Sequence, residues 1–166
     1  MSALIGNAGY CADRQEHLVD RFLAAQVDGL VIVSADGGTD VGAQARQAGV
    51  PTVYVHNQPV GGQGPAVTAD NAAAVRQAVD HLRGHGHTRI AFLAGPQDAG
   101  PVAWRRATWE EAVAGTDALL LRCEYARAAA AALTGRLTVE GAMPHALITA
   151  TDEQPIGVLA AGRGHG

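Results

Sequence analysis

The chain has 166 residues, 48% hydrophobic and 17% charged, with a net charge of −4, and a globule of that size buries roughly 70% of its unfolded surface without a metal or disulfide staple. The acidic balance, with Arg105–Arg106 as the one adjacent basic pair, argues against direct nucleic-acid binding by this chain alone, because phosphate recognition needs a basic face. No apolar run approaches a membrane span, and no basic segment followed by an apolar one opens the chain, so a cytoplasmic protein with no membrane partner is expected.

Leu4–Ile5 gives a short apolar start. Asp13 and Glu16 then form a capping pair for a helix in which Leu18, Phe22 and Ala25, flanked by Val19 and Leu23, make the apolar face. Gly29–Val33 (GLVIV) is continuously apolar, the mark of a central parallel strand. The Asp36-Gly37-Gly38 turn leads into a polar helix around Val41–Ala48. Pro51–Val55 (PTVYV) is the next strand, with proline at its first position, where a missing N–H is tolerated. A Gly/Pro-rich loop over Pro59–Pro65 feeds a short strand at Ala66–Thr68.

The stretch from Asp70 to Gly95 carries the densest local signal. Asp70 or Asn71 caps a helix whose Val75, Val79 and Leu82 fall at i, i+4 and i+7, and Gly84 supplies a left-handed terminator. Arg89–Leu93 (RIAFL) is apolar and β-prone, as a strand covered on both faces should be. Gly95–Pro101 is the strongest punctuation in the chain and on its own reads as a surface loop. Beyond it come a helix over Trp104–Val113, a strand at Ala118–Leu121, a helix over Tyr125–Leu133, a strand at Ala146–Ile148 and a helix starting near Asp152. Such alternation gives an α/β fold of parallel sheets with flanking helices.

Motifs for catalysis are scarce. The Gly37-Gly38 and Gly61-Gly62-Gln63-Gly64 clusters lack G-x-G-x-x-G spacing, and neither a phosphate-binding loop nor a G-x-S-x-G elbow occurs. Cys11 and Cys123 lie far apart and read as reduced thiols. His81, His85 and His87 crowd one helix end, where imidazoles interact well with the dipole and have no thiol or carboxylate at ligand spacing. The pairs Glu110–Glu111 and Asp152–Glu153 point in different directions on a helix. No enzyme, cofactor or metal site is expected. What remains is Asp36, Asp70 and Asp152, each following a strand at the carboxyl edge where open α/β sheets bind ligands, and each equally able to cap the next helix.

Four segments carry a resemblance: VDGLVIVSAD, AGVPTVYV, TADNAAAVRQAVDHLRGHGHTRIAFLAGP and MPHALITATDEQPIGVL. In this order they resemble the effector-binding core of the LacI/GalR family of bacterial transcription regulators, itself similar to periplasmic sugar-binding proteins. The resemblance implies a type I periplasmic-binding-protein-like fold with two incomplete lobes, residues 1–97 and 98–166, clamping a sugar, nucleobase or similar small effector. Under it, Gly95–Pro101 becomes the first crossover between lobes. It implies ligand contacts by the Asp70 carboxylate, the Arg105 guanidinium and the Tyr125 ring, and at Thr151, which stands where the family's "ND" pair has asparagine before Asp152. Pro101 and Thr108 replace the small hydroxyl residue and the glycine common at those places.

The implied function is non-enzymatic effector sensing for transcription regulation, with a possible homodimer and with operator DNA reached only through an N-terminal helix-turn-helix. A solute-binding protein of a sugar uptake system is the alternative. The chain begins at what resembles the family's second strand and ends after TDEQPIGVLAAGRGHG, so a fragment is expected. The family's first strand is central in its sheet, so its absence is expected to leave a gap or to demand a rearranged pairing.

Overall fold

Helices and strands alternate along the residues described by the computed structural model, which are 2–9, 11–33, 40–57, 63–97 and 100–163. The elements are α1 (Ala12–Ala24), β1 (Leu30–Ile32), α2 (Gly42–Gln47), β2 (Thr52–Val55), β3 (Ala66–Val67), α3 (Asn71–Gly84), β4 (Ile90–Ala94), α4 (Gly100–Ala112), β5 (Leu120–Arg122), α5 (Arg127–Val139), β6 (Ala146–Thr149) and α6 (Glu153–Arg163). They form two three-stranded sheets, ordered β1-β2-β3 and β5-β4-β6, and every pairing is parallel. The α/β class follows from the alternation, since parallel neighbours need a crossover between them.

The chain divides into two compact units. Met1–Ala69 with Ala99–Pro101 makes the first, and Asp70–Asp98 with Val102–Gly166 the second. The long first run of the chain therefore changes unit at 69/70, and Ala99–Pro101 returns to the first unit. The cause is β4, the middle strand of the second sheet, which draws α3 with it: Val75 and Val79 share a core with Ile90, Phe92 and Trp109.

In the first unit, Val19, Leu30, Ile32, Val41, Ala45 and Tyr54 form the core. Tyr54 is fully buried, and its hydroxyl donates to Asp40 and accepts from the Gly42 N–H at 3.1 Å. Arg46 completes the knot through Asp40 at 2.5 Å. A Cβ at Gly42 would sit 2.3 Å from the Tyr54 oxygen, so only glycine allows α2 this close to the ring. Burial pushes the Asp40 carboxyl up, but hydrogen bonds from Arg46 and Tyr54 outweigh it and hold the group below its ordinary range.

Two expectations for this unit change. Asp13 does not cap α1: the helix starts one residue earlier, Cys11 holds the cap position without a side-chain bond, and Asp13 lies in the first turn, where it faces the favourable end of the dipole. GLVIV is not central either. Among the described residues β1 pairs on one side only, leaving Val31 74% and Val33 56% exposed. A cleft of about 550 Å³ opens at that edge, lined by Ile5, Leu18, Phe22 and the β1 residues. The Asp36-Gly37-Gly38 turn and most of the Pro59–Pro65 loop lie outside the described residues.

In the second unit all five residues of β4 are buried, as its apolar sequence requires. One face packs on Val75, Val79, Val102, Trp109 and Val113, with the Phe92 and Trp109 rings 5.7 Å apart. Leu93 packs on Ala130, Leu133 and Leu137 of α5 on the other face. That stripe explains why α5 continues to Val139 instead of ending at Leu133. Asp70 caps α3, its carboxylate accepting from the Ala73 N–H at 2.8 Å. Gly84 stays helical, and the left-handed exit belongs to Gly86, φ +83°.

Candidate functional site

All four residues singled out by the resemblance belong to the second unit. Arg105, on α4, reaches the end of β6, where one terminal nitrogen donates to the Ala150 carbonyl at 2.6 Å. Its Nε–H donates to the Asn71 side-chain oxygen at 2.7 Å. Asn71 is buried, the first residue of α3, directly after the Asp70 cap. Two of the five guanidinium donors are thus fixed, orienting the fork.

Thr151 follows β6 and is half-buried. Its backbone N–H donates to the Gln154 side-chain oxygen at 3.3 Å, while its buried Oγ1 has no hydrogen-bond partner among the described residues. A buried hydroxyl in that state costs on the order of 1–3 kcal/mol unless something satisfies it. Tyr125 follows β5, about one-third exposed, with its ring over the end of β4. A Cβ at Gly95 would lie 2.0 Å from the ring carbon bearing the hydroxyl. Glycine at the strand exit is what lets the aromatic lie there. Arg122 closes this side, donating to the Gly95 carbonyl at 3.0 Å.

These groups gather at the carboxyl ends of β4, β5 and β6 and at the start of α3. The Asp70 carboxylate is exposed and spends one oxygen on its cap. The rim therefore offers an oriented cation, an aromatic face, an acidic group and a buried hydroxyl within one α/β layer. Groups of that kind grip hydroxyls and cover the apolar side of a small polar molecule. Cys123 borders the rim, but burial pushes its thiol up, away from the reactive thiolate.

Three contributors do not stand out as site residues in the sequence. Asn71 reads only as a cap, and its partner lies 34 positions away. Gly95 reads as loop punctuation. Gln154 carries a faint signal, since it sits with Gly157, Val158 and Ala161 at helical spacing on α6, a polar residue on an apolar stripe. The His81 and His85 rings lie 4.4 Å apart, tilted by 46°, with His85 Nδ1 2.9 Å from the His81 carbonyl, and no group of three metal-ligating side chains occurs among the described residues.

Residues 2–166 match the family described as periplasmic binding proteins and the sugar-binding domain of the LacI family. Catabolite control protein A of Priestia megaterium is 26% identical over 163 residues, covering 94% of this chain and 49% of the relative. The chain thus spans about half the length of that curated relative. The Cra transcriptional dual regulator of Pseudomonas putida, solved with fructose 1-phosphate, superposes with a TM-score of 0.85 at 20% identity, over 98% of this chain and 62% of the other. A complex of the transcriptional regulator CelR with cellobiose gives 0.77 at 28% identity, over 93% and 49%.

Proposed function

The chain belongs to the family of periplasmic binding proteins and LacI-type sugar-binding domains, and from that premise we propose that it is the effector-binding part of a LacI-type transcription regulator. It takes one small, hydroxyl-rich molecule and does no chemistry on it. The observation that carries this reading is the Arg105 guanidinium, locked between Asn71 and Ala150 at the carboxyl edge of a parallel sheet. An arginine anchored at two points loses little side-chain entropy when it meets a ligand, which raises the net gain of each further bond.

In this reading Arg105 binds ring hydroxyls or a phosphate with its remaining donors. Tyr125 covers an apolar ring face, Thr151 Oγ1 gains its missing bond, and the second Asp70 oxygen accepts from a hydroxyl. The regulator acts in the cytoplasm as a homodimer, with operator DNA held by a separate N-terminal domain. Nothing in the rim calls for a cofactor.

Titration calorimetry of the full chain with fructose 1-phosphate, cellobiose, simple monosaccharides and nucleobases tests the reading. One member should give saturable heat, and Arg105→Ala should weaken it by at least about tenfold, as expected for losing a charge-assisted bond. Flat heats across the panel from folded protein would overturn it.

A further inference from the structure

Gln154 makes a set of contacts that no local role explains. It is the second residue of α6 and fully buried, with a relative exposure of 0%. Its side-chain oxygen accepts from the Ala150 N–H at 3.2 Å and the Thr151 N–H at 3.3 Å. Its amide nitrogen donates to the Ala94 carbonyl at 3.2 Å and lies 3.6 Å from Cys123 Sγ. One neutral amide therefore touches the chain at the ends of β4, β5 and β6. The orientation is fixed by chemistry, because a flipped amide would set its N–H groups against two backbone donors.

We infer that Gln154 is a positioning residue of the rim: by holding the Ala150 and Thr151 N–H groups at the end of β6, its side-chain oxygen sets the Ala150 carbonyl, and through that carbonyl the Arg105 guanidinium. The inference rests on the effector-binding reading for its purpose, but not for its test. Ala150 is the shared element, its N–H facing Gln154 and its carbonyl facing Arg105. The Ala150 N–H also reaches the Leu93 carbonyl at 2.9 Å, and the Cys123 N–H reaches the Ala94 carbonyl at 3.2 Å. Gln154 thus reinforces ladder bonds at the point where the strands stop and the site begins. A residue this buried could have been apolar at less desolvation cost. An amide there is explained by the four groups it connects.

Two variants separate this role from bulk stability. Q154M keeps length and burial but removes both the acceptor for Ala150 and Thr151 and the donor to Ala94. Q154E keeps the acceptor and loses the donor, at the price of a buried carboxylate, so it is the less stable protein of the two. The probe is hydrogen exchange of the Arg105 Nη1–H that meets the Ala150 carbonyl, read by nuclear magnetic resonance on arginine-labelled full chain, with Arg105→Lys used to assign the signal. No ligand is needed, so a flat calorimetric panel leaves this result standing on its own.

Exchange at Arg105 should quicken by about tenfold in Q154M, the size of one buried hydrogen bond, and stay within about twofold of the parent in Q154E. Global stability should fall in the opposite order. Exchange that simply follows global stability in the two variants, or that is unchanged within twofold in folded Q154M, would overturn the assignment. If Q154E does not fold, the Q154M measurement decides alone.

Discussion

The Nε–H of Arg105 and the side-chain oxygen of Asn71 meet at 2.7 Å, joining α4 to the first residue of α3 across 34 positions of sequence. Asn71 is buried and could not hold its oxygen there unpaired without penalty, so each residue explains the other. Arg105→Ala should lower stability by about 2 kcal/mol in urea denaturation, because it removes charge-assisted bonds and strands the Ala150 carbonyl. Asn71→Ala should cost about 1 kcal/mol, and the double variant should cost less than the sum of the two. Strict additivity would mean that the pair is not coupled.

The Tyr54–Asp40–Arg46 knot gives a stability that depends on pH. The Asp40 carboxyl is held below its ordinary value in the folded chain, so its contribution is complete above the unfolded value near 3.9. It is lost as pH falls through the folded value, because protonation then breaks the bonds from Arg46 and Tyr54. Thermal unfolding between pH 6 and pH 2.5 should show a falling midpoint in the parent. Asp40→Asn should flatten part of that fall, and Tyr54→Phe should raise the pH at which the carboxyl titrates. Burial pushes the Tyr54 hydroxyl upward, so on the alkaline side the same knot loses stability as pH rises beyond about 10.

What could be read beforehand and what could not differ in range. The Asp70 cap, the Val75–Val79 stripe and the buried RIAFL strand are written in neighbours a few positions apart, and the structure holds all three. GLVIV misled because an apolar run does not say how many strands flank it or whether both faces are covered: Val31 and Val33 stand exposed beside a single partner strand. The break at 69/70 was illegible because nothing local says that β4 lies between β5 and β6. At the rim, Arg105 and Tyr125 came from a resemblance, and their placement on Asn71 and Gly95 from the fold. Gln154 had a faint local signal as the polar member of an apolar stripe, but its meaning lies in Ala94, 60 positions away.

Two glycines in neighbouring helices should respond oppositely to the same substitution. A Cβ at Gly157 on α6 would lie 2.1 Å from the Arg127 carbonyl oxygen and 3.0 Å from the Ala130 Cβ, and the backbone atom cannot swing aside. Gly157→Ala must push α5 from α6. The overpacking cost of about 1–3 kcal/mol outweighs the helix-propensity gain of about 1 kcal/mol. Gly135, inside α5, has nothing within 4 Å of the same position. Gly135→Ala should therefore keep the propensity gain and raise stability by about 0.5–1 kcal/mol. Denaturation midpoints of the two variants moving in the same direction would refute the packing argument.

The open edge of β1 makes a separate demand on the chain. Leu30 and Ile32 point into the core, while Val31 is 74% exposed on a strand that pairs with β2 alone among the described residues. Ile5, 94% exposed, borders the same cleft. A flat, β-branched, uncharged edge offers backbone donors and acceptors to any strand that approaches, and a charge on it opposes pairing between copies. Val31→Lys removes no core contact, so its effect on folding stability should stay within about 0.5 kcal/mol. Its effect on self-association should be large: light scattering against protein concentration should show aggregation beginning at several-fold higher concentration than in the parent. A control at Val139, 82% exposed but at the end of α5, adds the same charge away from any strand. If Val139→Lys delays aggregation as much as Val31→Lys, then net charge is responsible and the edge of β1 is not the surface through which copies associate.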